Sequence, residues 1–360
     1  MRATTVAVDV AALRHNLRRA RAAAPASKIM AAIKANGYGH GLLRVAHALH
    51  EADGFGVACI DEAVQLREAG INKPITLLEG FFSSDELEAI GRYKLLPAVH
   101  HAEQIEMLEQ ARLSQPLQVW LKVDSGMHRL GFAPEQAAVA AERLQRCANV
   151  ADLFGCMTHL ANADNLDDTL TVQQVETFRR ATAAVPGVRS ISNSAALLGW
   201  PQSHAEWVRP GIMLYGVSPF IGGRAEHHDL RPAMTLRSEL IAVNSLRRGD
   251  AVGYGGGWVC PEDMSVGVVA AGYGDGYPRH VPNGTPVLVN GVRVPLVGRV
   301  SMDMLTVDLR SQPDARPGDP VVLWGEGLPV EEVAESAGTI PYDLLCRVMP
   351  RVALVAEQGG

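Results

Sequence analysis

The chain has 360 residues, of which 47% are hydrophobic and 20% are charged, so it can bury an ordinary globular core in one large or two medium domains. Its net charge of −6 and isoelectric point near 6.1 give no basic excess, which argues against nucleic acid as a partner and favours small-molecule chemistry. The first residues, Met1–Val10, lack the apolar core of a secretory signal, and no apolar run approaches membrane-spanning length. We therefore expect a cytoplasmic protein with no membrane partner.

Cysteine and histidine usage argues against disulfides and metal sites. The five cysteines are scattered and form no Cys-x-x-Cys pair, which is typical of reduced thiols. The twelve histidines include two adjacent pairs, His100-His101 and His227-His228, whose members point in different directions on any regular element. We therefore predict no metal ligands.

The first strongly patterned stretch places a lysine between an apolar strand and a glycine-rich turn. Residues 29–33 form a continuous apolar run, typical of a buried strand in a parallel sheet, and Lys34 is the first polar group past its end. Partial desolvation there raises the share of neutral amine, the form that attacks an aldehyde or carries a proton. Gly37, Gly39 and Gly41 allow a tight turn and the close approach of a ligand, with a phosphate near the start of the next helix. The alternative is a solvated lysine at an ordinary βα turn.

Strand-like runs alternate with helix-like patterns through the first two thirds of the chain. The predicted strands are Lys28–Ile33, Gly54–Cys59, Ile75–Glu79, Leu95–Val99, Leu117–Val123, Leu153–Thr158, Val188–Ser192 and Val208–Leu214. Candidate helices between them cover 42–51, 61–69, 84–92, 101–111, 134–147, 169–183 and 194–199. Eight alternating units predict a (β/α)8 TIM-like barrel, with a doubly wound open sheet as second choice.

The last third of the chain has the pattern of a mainly antiparallel β domain. Short β-rich runs are separated by turn signals such as Asn283-Gly284 and Asn290-Gly291, and two brief helices are predicted near 329–337 and 341–347. The predicted strands are Met234–Val243, Ser265–Ala271, Pro286–Val289, Val292–Val297, Met304–Asp308, Pro320–Leu323 and Arg351–Val355. We place the domain boundary in the polar stretch 222–232, giving a barrel over 1–230 and a β-rich domain over 231–360.

In a barrel, catalytic groups should lie at the carboxyl ends of the strands. Polar residues follow four predicted strands, and one further group lies within the eighth: Lys34; Lys122 and Arg129; His159; Asn193-Ser194; and Arg209, Gly211 and Ile212. Each has a structural alternative, since a lone histidine is often hydrogen-bonded in place and Asn-Ser is a common helix cap. Because polar residues occur at the ends of several strands, we expect these side chains to converge on one ligand.

The β-rich domain adds tyrosines flanked by glycines. Tyr254 has four glycines beside it in the sequence, which leave it exposed. A functional role and a packing role are equally compatible with this pattern. Tyr277, which shares the similar segment 271–277 with Tyr273, fits simple packing on a sheet. The glycine stretches lack the strand-then-helix context of a dinucleotide fingerprint, which argues against NAD.

Together these motifs resemble the bacterial alanine racemases that depend on pyridoxal phosphate. The stretch Ala-Ile-Lys34-Ala-Asn-Gly-Tyr-Gly-His-Gly is similar to the cofactor-attachment signature of that family. The segments that begin at Lys122 and Arg209, and the one around Arg299, follow in the family's order. The resemblance implies interconversion of L- and D-alanine, to supply peptidoglycan or to degrade D-alanine, by a homodimer whose sites are shared between subunits.

The resemblance also implies roles for individual residues. Lys34 carries the cofactor as an internal aldimine, and Tyr254 of the partner subunit faces it, giving one base on each side of a carbanion. Cofactor contacts are implied for Tyr38, His159, Asn193, Ser194, Arg209, Gly211, Ile212 and Tyr342, with Arg209 at the pyridine nitrogen and bonded to His159. The substrate carboxylate would meet Arg129 and the backbone of Met302. Lys122, at a position often carbamylated, would orient the arginine, and supporting or entrance positions are Asp164, Tyr273, Arg279, Arg299, Asp303 and Ile340.

Two other functional classes stay open. A decarboxylase with the same cofactor benefits from an acid that protonates the ring nitrogen, where the resemblance puts Arg209 instead. A non-catalytic carrier of pyridoxal phosphate needs only the barrel and has no use for Tyr254 or Met302.

Overall fold

The computed structural model describes residues 3–356 of the chain. The described chain begins with strand β1 (Thr5–Val8) and helix α1 (Val10–Ala23), neither of which is among the predicted elements. Asp9 caps the helix, because its side chain accepts a hydrogen bond from the backbone N–H of Ala12.

Eight parallel strands then close into a barrel in chain order, which confirms the predicted fold class. They are β2 (Lys28–Ala32), β3 (Gly54–Val57), β4 (Ile75–Leu77), β5 (Leu96–Val99), β6 (Leu117–Lys122), β7 (Val150–Met157), β8 (Val188–Ser190) and β9 (Trp207–Val208). The ring closes where Lys28 of β2 pairs with Trp207 of β9.

Helical segments connect successive barrel strands. They are α2 (Lys34–Tyr38), α3 (Leu42–Ala48), α4 (Ile60–Glu68), α5 (Leu87–Arg92), α6 (Ala102–Gln110), α7 (Ala137–Arg146), α8 (Leu170–Thr182) and α9 (Ser194–Gly199). Helix α7 shows why they pack on the barrel, since its buried residues Ala137, Ala140, Ala141 and Leu144 share one helical face. None of the helices in residues 3–356 combines the length and apolarity that a membrane span requires.

The prediction for the eighth barrel strand was wrong beyond Val208. The strand ends there, residues 209–211 are irregular, and a 3₁₀ helix, Ile212–Tyr215, follows. Pro210 has no N–H to donate to a neighbouring strand, and the Oγ of Ser194 accepts hydrogen bonds from the backbone N–H groups of Gly211 and Met213. Arg209 is therefore the first residue past the strand, at the mouth of the barrel.

The second part of the chain forms the expected β-rich domain. Its strands are β10 (Met234–Leu246), β11 (Ala251–Val252), β12 (Trp258–Val259), β13 (Met264–Val269), β14 (Pro286–Val289), β15 (Val292–Val297), β16 (Leu305–Asp308), β17 (Pro320–Trp324) and β18 (Ala353–Ala356), with helices α10 (Val330–Ser336) and α11 (Pro341–Cys346). An eight-stranded sheet has the order β13-β16-β15-β14-β17-β10-β1-β18, and β11 and β12 form a separate hairpin.

Strand pairing and helix packing both join the two parts of the chain. Strand β1 pairs antiparallel with β10 and parallel with β18, so the first described residues belong to the second sheet. Helix α11 packs on the turn after Lys34, where a Cβ on Gly39 would lie 2.1 Å from the carbonyl oxygen of Leu345. The domain boundary near residue 230 stays a prediction.

Candidate active site

A cavity of about 520 Å³ opens at the carboxyl ends of the barrel strands. This volume is usual for a small-molecule site. The predicted residues that line it are Lys34, Tyr38, Lys122, Arg129, His159, Asn193, Ser194, Arg209, Gly211, Ile212 and Tyr342. The barrel therefore brings residues from distant parts of the sequence together around one cavity.

Lys34 projects into this cavity from the end of β2. Its side chain is 38% exposed, and its Nζ lies 3.9 Å from the nearer carboxylate oxygen of Glu79. The lysine therefore has an open approach for a ligand and an acidic neighbour that the sequence analysis did not identify.

The backbone after Lys34 forms a left-handed turn. Five consecutive residues, 35–39, have φ between 51° and 80°, and Ala35, Asn36 and Tyr38 among them are not glycines. Each non-glycine residue in this region costs roughly 1–2 kcal/mol, so the surrounding contacts must hold the turn. The side chain of Glu62 accepts the backbone N–H of Asn36, and the side chain of Asn36 accepts that of Leu42. The predicted tight turn is confirmed, and its left-handed course is new.

One wall of the cavity is suited to bind an anion. The backbone N–H of Ile212 begins a 3₁₀ helix and has no acceptor among residues 3–356. Beside it, Gly211 lets the Tyr38 hydroxyl approach closely, since an added Cβ would lie 2.7 Å from that oxygen. The ring of Tyr38 stacks on Tyr215 with ring centroids 4.5 Å apart, which fixes its direction.

The two phenols at this wall remain neutral. Burial raises the pKa of Tyr38 above its usual range. Enclosure by the cavity raises the pKa of Tyr342 to about 12, and the carboxylate of Asp164 adds to the rise. Both hydroxyls therefore keep their protons at neutral pH and can donate hydrogen bonds to a phosphate.

Lys122 is a buried lysine with a lowered pKa. Its Nζ donates to the carbonyl oxygen of Leu78 at 3.1 Å. Burial, followed by the charges of Arg209, Arg129 and Lys34, lowers the pKa of Lys122 to about 8. A substantial share of its amine is therefore neutral near physiological pH.

Arg209 is fixed by acceptors at the carboxyl ends of β7 and β8. Its two terminal nitrogens donate to the Oγ of Ser190 at 2.6 Å, to the carbonyl oxygen of Thr158 and to that of Ile191 at 3.3 Å. Burial lowers the pKa of Arg209 to about 10, which still leaves the guanidinium charged at neutral pH. No residue within 3–356 accepts from its Nε.

The expected hydrogen bond between His159 and Arg209 is absent from the described residues, because the arginine donates instead to Ser190, Thr158 and Ile191 at the ends of β7 and β8. His159 lies close enough for their charges to interact. Burial lowers the pKa of His159 well below its ordinary value, and the positive charges of Arg209, Arg129, Lys122 and Lys34 lower it further. The imidazole is therefore neutral.

The remaining predicted residues do not line this cavity: Tyr254, Met302, Asp164, Tyr273, Arg279, Arg299, Asp303 and Ile340. Tyr254 lies in the connection between β11 and β12 and is 71% exposed, and Met302 is 53% exposed. These groups therefore lie outside the cavity of their own chain, and the first two are available to a neighbouring molecule.

Arg351 ties together two of the segments that carry these residues. Its side chain contacts the carboxylates of Asp275 and Asp303, each at 2.8 Å, and donates to the carbonyl oxygen of Met302 at 3.2 Å. The backbone N–H of Gly274 donates to the same oxygen at 2.8 Å. The segments around Tyr273 and Met302 are thus held as one unit.

Comparison with known families accounts for nearly the whole chain. The model described as "Alanine racemase, N-terminal domain" matches residues 8–219, and "Alanine racemase, C-terminal domain" matches residues 233–356. The chain belongs to the alanine racemase family. The resemblance inferred from the motifs is therefore confirmed.

Individual relatives and structures agree with the family models. An alanine racemase of Nitrosococcus oceani is 55% identical over 351 residues, covering 97% of this chain and 98% of the relative, and one of Coxiella burnetii is 50% identical over 360 residues, covering 99% of each. The crystal structure of the biosynthetic alanine racemase from Pseudomonas aeruginosa is 46% identical, with a TM-score of 0.96 and coverage of 99% of this chain and 100% of that one. The chain is therefore an enzyme with the alanine racemase fold.

Glu79 is the one charged side chain among the described residues lining this alanine racemase cavity that was not predicted from the sequence. It lines the cavity two residues past β4, next to Lys34. The signal was present, because Glu79 ends the predicted strand Ile75–Glu79, and polar groups at strand ends are the candidates in a barrel.

Proposed function

We propose that this chain interconverts L-alanine and D-alanine with pyridoxal 5'-phosphate bound in the barrel cavity. The supporting observation is that one cavity combines an accessible lysine, Lys34, with a wall of neutral phenols and unpaired backbone N–H. The lysine suits an aldehyde, and the wall suits a phosphate. Family membership supports the same reaction and cofactor.

The residues present fit the cofactor. Tyr38, Ser194, Gly211, Ile212 and Tyr342 would hold its phosphate, and a side chain at Gly211 would fill that space. Arg209 and the neighbouring His159 and Asn193 would face its ring. When bound, pyridoxal phosphate delocalises the electron pair that remains after an amino acid loses its α-proton.

Inversion of a stereocentre needs a proton carrier on each face of the reacting carbon. A single base would return the proton mostly to the face that it left. Lys34 would hold or release a proton at Nζ on one face, and Tyr254 of the partner subunit at its phenol oxygen on the other. The exposure of Tyr254 outside its own chain's cavity supports a homodimer with shared sites.

In this proposal, Arg209 binds the cofactor ring and Arg129 binds the substrate. Arg209 can only donate, so it would leave the ring nitrogen unprotonated, which disfavours transamination and decarboxylation. Arg129 and the backbone of Met302 would bind the substrate carboxylate. The neutral amine of Lys122 can add to carbon dioxide and release one proton to solvent, and the negative charge of the resulting carbamate would orient Arg129. Asp164, Tyr273, Arg279, Arg299, Asp303 and Ile340 would support the site or shape the substrate entrance.

In the cell, the reaction would supply D-alanine for peptidoglycan or degrade it, and a cytoplasmic location remains a prediction. Deuterium wash-in tests the chemistry directly. The purified enzyme with added pyridoxal phosphate, incubated with either alanine enantiomer in heavy water, should place deuterium at the α-carbon and yield the opposite enantiomer. Release of carbon dioxide would favour a decarboxylase, and cofactor binding without isotope exchange would favour a carrier.

A further inference from the structure

Arg129 lines the cavity, and its side chain has no hydrogen-bond or ion-pair partner among residues 3–356. The side chain is exposed. Lys122, whose pKa is lowered in part by the charge of Arg129, repels the guanidinium rather than holding it. The direction in which Arg129 enters the cavity therefore depends on the backbone of the loop that carries it.

This loop, residues 124–132, is closed at its base. The backbone N–H of Asp124 donates to the carbonyl oxygen of Phe132 at 2.9 Å, and the N–H of Phe132 donates to the carbonyl oxygen of Lys122 at 2.9 Å. Gly131 packs so closely on the start of the loop that a Cβ there would lie 2.4 Å from the backbone nitrogen of Asp124. Both ends of the loop are thus fixed to the carboxyl end of β6.

The carboxylate of Asp124 holds the part of the loop that precedes Arg129. Its Oδ1 accepts the backbone N–H groups of Gly126 at 2.9 Å and of Met127 and His128 at 3.0 Å each. His128 has φ of 56°, a left-handed conformation that a residue with a side chain keeps only where contacts hold it. Arg129 follows directly, so its backbone is held between the hydrogen-bonded His128 and the closed base of the loop.

Asp124 makes these hydrogen bonds as an anion. Its side chain is only 15% exposed, and burial raises its pKa. The hydrogen bonds from the three N–H groups outweigh burial and lower the pKa of Asp124 below its ordinary value. An ionised carboxylate accepts stronger hydrogen bonds than the neutral amide of an asparagine would.

We propose that Asp124 is a positioning residue for substrate binding: it fixes the backbone before Arg129 so that the guanidinium meets the substrate carboxylate. Asp124 does not line the cavity, so it acts through Arg129. This inference rests on the proposed function, in which Arg129 binds that carboxylate. Loss of the Asp124 carboxylate should therefore weaken carboxylate binding, and should do so only where Arg129 is present.

The test is the affinity of the enzyme loaded with pyridoxal phosphate for propionate, measured by titration calorimetry. Propionate has the carbon skeleton and carboxylate of alanine without its amine, so it probes this contact without reaction. Asp124→Ala removes the acceptor of three N–H groups and should weaken propionate binding about tenfold. Asp124→Asn keeps a weaker acceptor and should weaken it about two- to threefold.

A double-mutant cycle separates positioning from general damage to the site. Arg129→Met should itself weaken propionate binding, and adding Asp124→Ala or Asp124→Asn to it should cost little more. Asp319→Ala is the matched control. The carboxylate of Asp319 is 16% exposed and accepts the backbone N–H of Arg316 at 3.0 Å, but it lies outside the cavity, so propionate affinity should stay native.

Two outcomes would overturn the inference. One is native propionate affinity in Asp124→Ala, or in Asp124→Asn should Asp124→Ala fail to fold. The other is an equal loss with and without Arg129, which would assign the effect to loosening of the site as a whole. Failure of the proposed function looks different, because the native enzyme would then bind no pyridoxal phosphate or leave alanine unchanged, or Arg129→Met would bind propionate as the native enzyme does.

Discussion

The hydroxyl of Tyr38 lies so close to Gly211 that a Cβ added to the glycine would sit 2.7 Å from the phenol oxygen. Gly211→Ala should therefore displace the hydroxyl and weaken pyridoxal phosphate binding about tenfold, equivalent to about 1.4 kcal/mol. Equilibrium dialysis of the cofactor-free enzyme measures this affinity. In Tyr38→Phe the clashing oxygen is gone, so adding Gly211→Ala should cost little more. Fully additive losses would mean that the two residues do not interact in this way.

Replacing Lys122 should change stability in a pH-dependent manner. Its ordinary pKa of 10.5 falls to about 8 in the folded chain, so the folded form releases the proton first. Between these two pH values the unfolded chain binds more protons, so the free energy of unfolding rises with pH. Below about pH 8, Lys122 is charged although buried, and the free energy of unfolding is lowered by the full amount. Lys122→Met should raise the free energy of unfolding at pH 7 by up to about 3 kcal/mol, and by less at pH 10.

Urea unfolding of the cofactor-free protein in bicarbonate-free buffer measures both values. Lys28→Met is the control, since the first residue of β2 is exposed at the other end of the barrel. An equal change in stability at the two pH values would contradict the assigned burial cost of Lys122.

Arg351 should affect substrate binding more than turnover. Its side chain joins Asp275, Asp303 and the carbonyl oxygen of Met302, whose backbone is proposed to bind the substrate carboxylate. Arg351→Met should raise KM for alanine severalfold with a smaller change in kcat, because ground-state and transition-state binding are lost together. Arg351→Lys keeps the positive charge but lacks the planar guanidinium, so its KM should lie between those of the native enzyme and Arg351→Met. A fall in kcat with unchanged KM would reject this role.

The sequence was sufficient to predict the barrel and most of its cavity. The apolar runs that end at Lys34, Lys122 and His159 coincide with strands because parallel barrel strands are buried on both faces. The polar residues that follow these runs meet because barrel strands present their carboxyl ends on one face. The local sequence pattern was therefore sufficient to predict those elements whose own residues are buried.

Features that depend on distant contacts were missed. Strand β1 pairs with β10 and β18, which are more than 200 residues away in the sequence. Helix α1 was also missed, but here a local signal was present, because Leu13 and Leu17 have helical spacing. The left-handed turn at Ala35 and Asn36 is supported by the side chain of Glu62, which accepts the backbone N–H of Asn36. The last barrel strand ends at the local Pro210, but the turn that follows it also depends on a hydroxyl from α9. None of these partners can be identified from the local segment.

Tyr254→Phe should leave the fold and cofactor binding intact and abolish racemisation. The side chain is 71% exposed, so losing its hydroxyl removes no buried contact of its own chain. Proton transfer on one face should fail, and deuterium wash-in from the two enantiomers should become unequal. Tyr93→Phe, at a tyrosine outside the cavity, is the matched control. Unchanged exchange rates for both enantiomers would reject the two-base scheme.

Subunit complementation tests the central claim most directly, namely that Lys34 of one protomer works with Tyr254 of the partner subunit. Lys34→Ala and Tyr254→Phe enzymes, each inactive alone, are coexpressed in equal amounts so that mixed dimers form. Each mixed dimer should contain one native and one doubly altered site, restoring about a quarter of native racemase activity. Activity no higher than the sum of the two inactive enzymes, with mixed dimers shown to be present, would contradict the account.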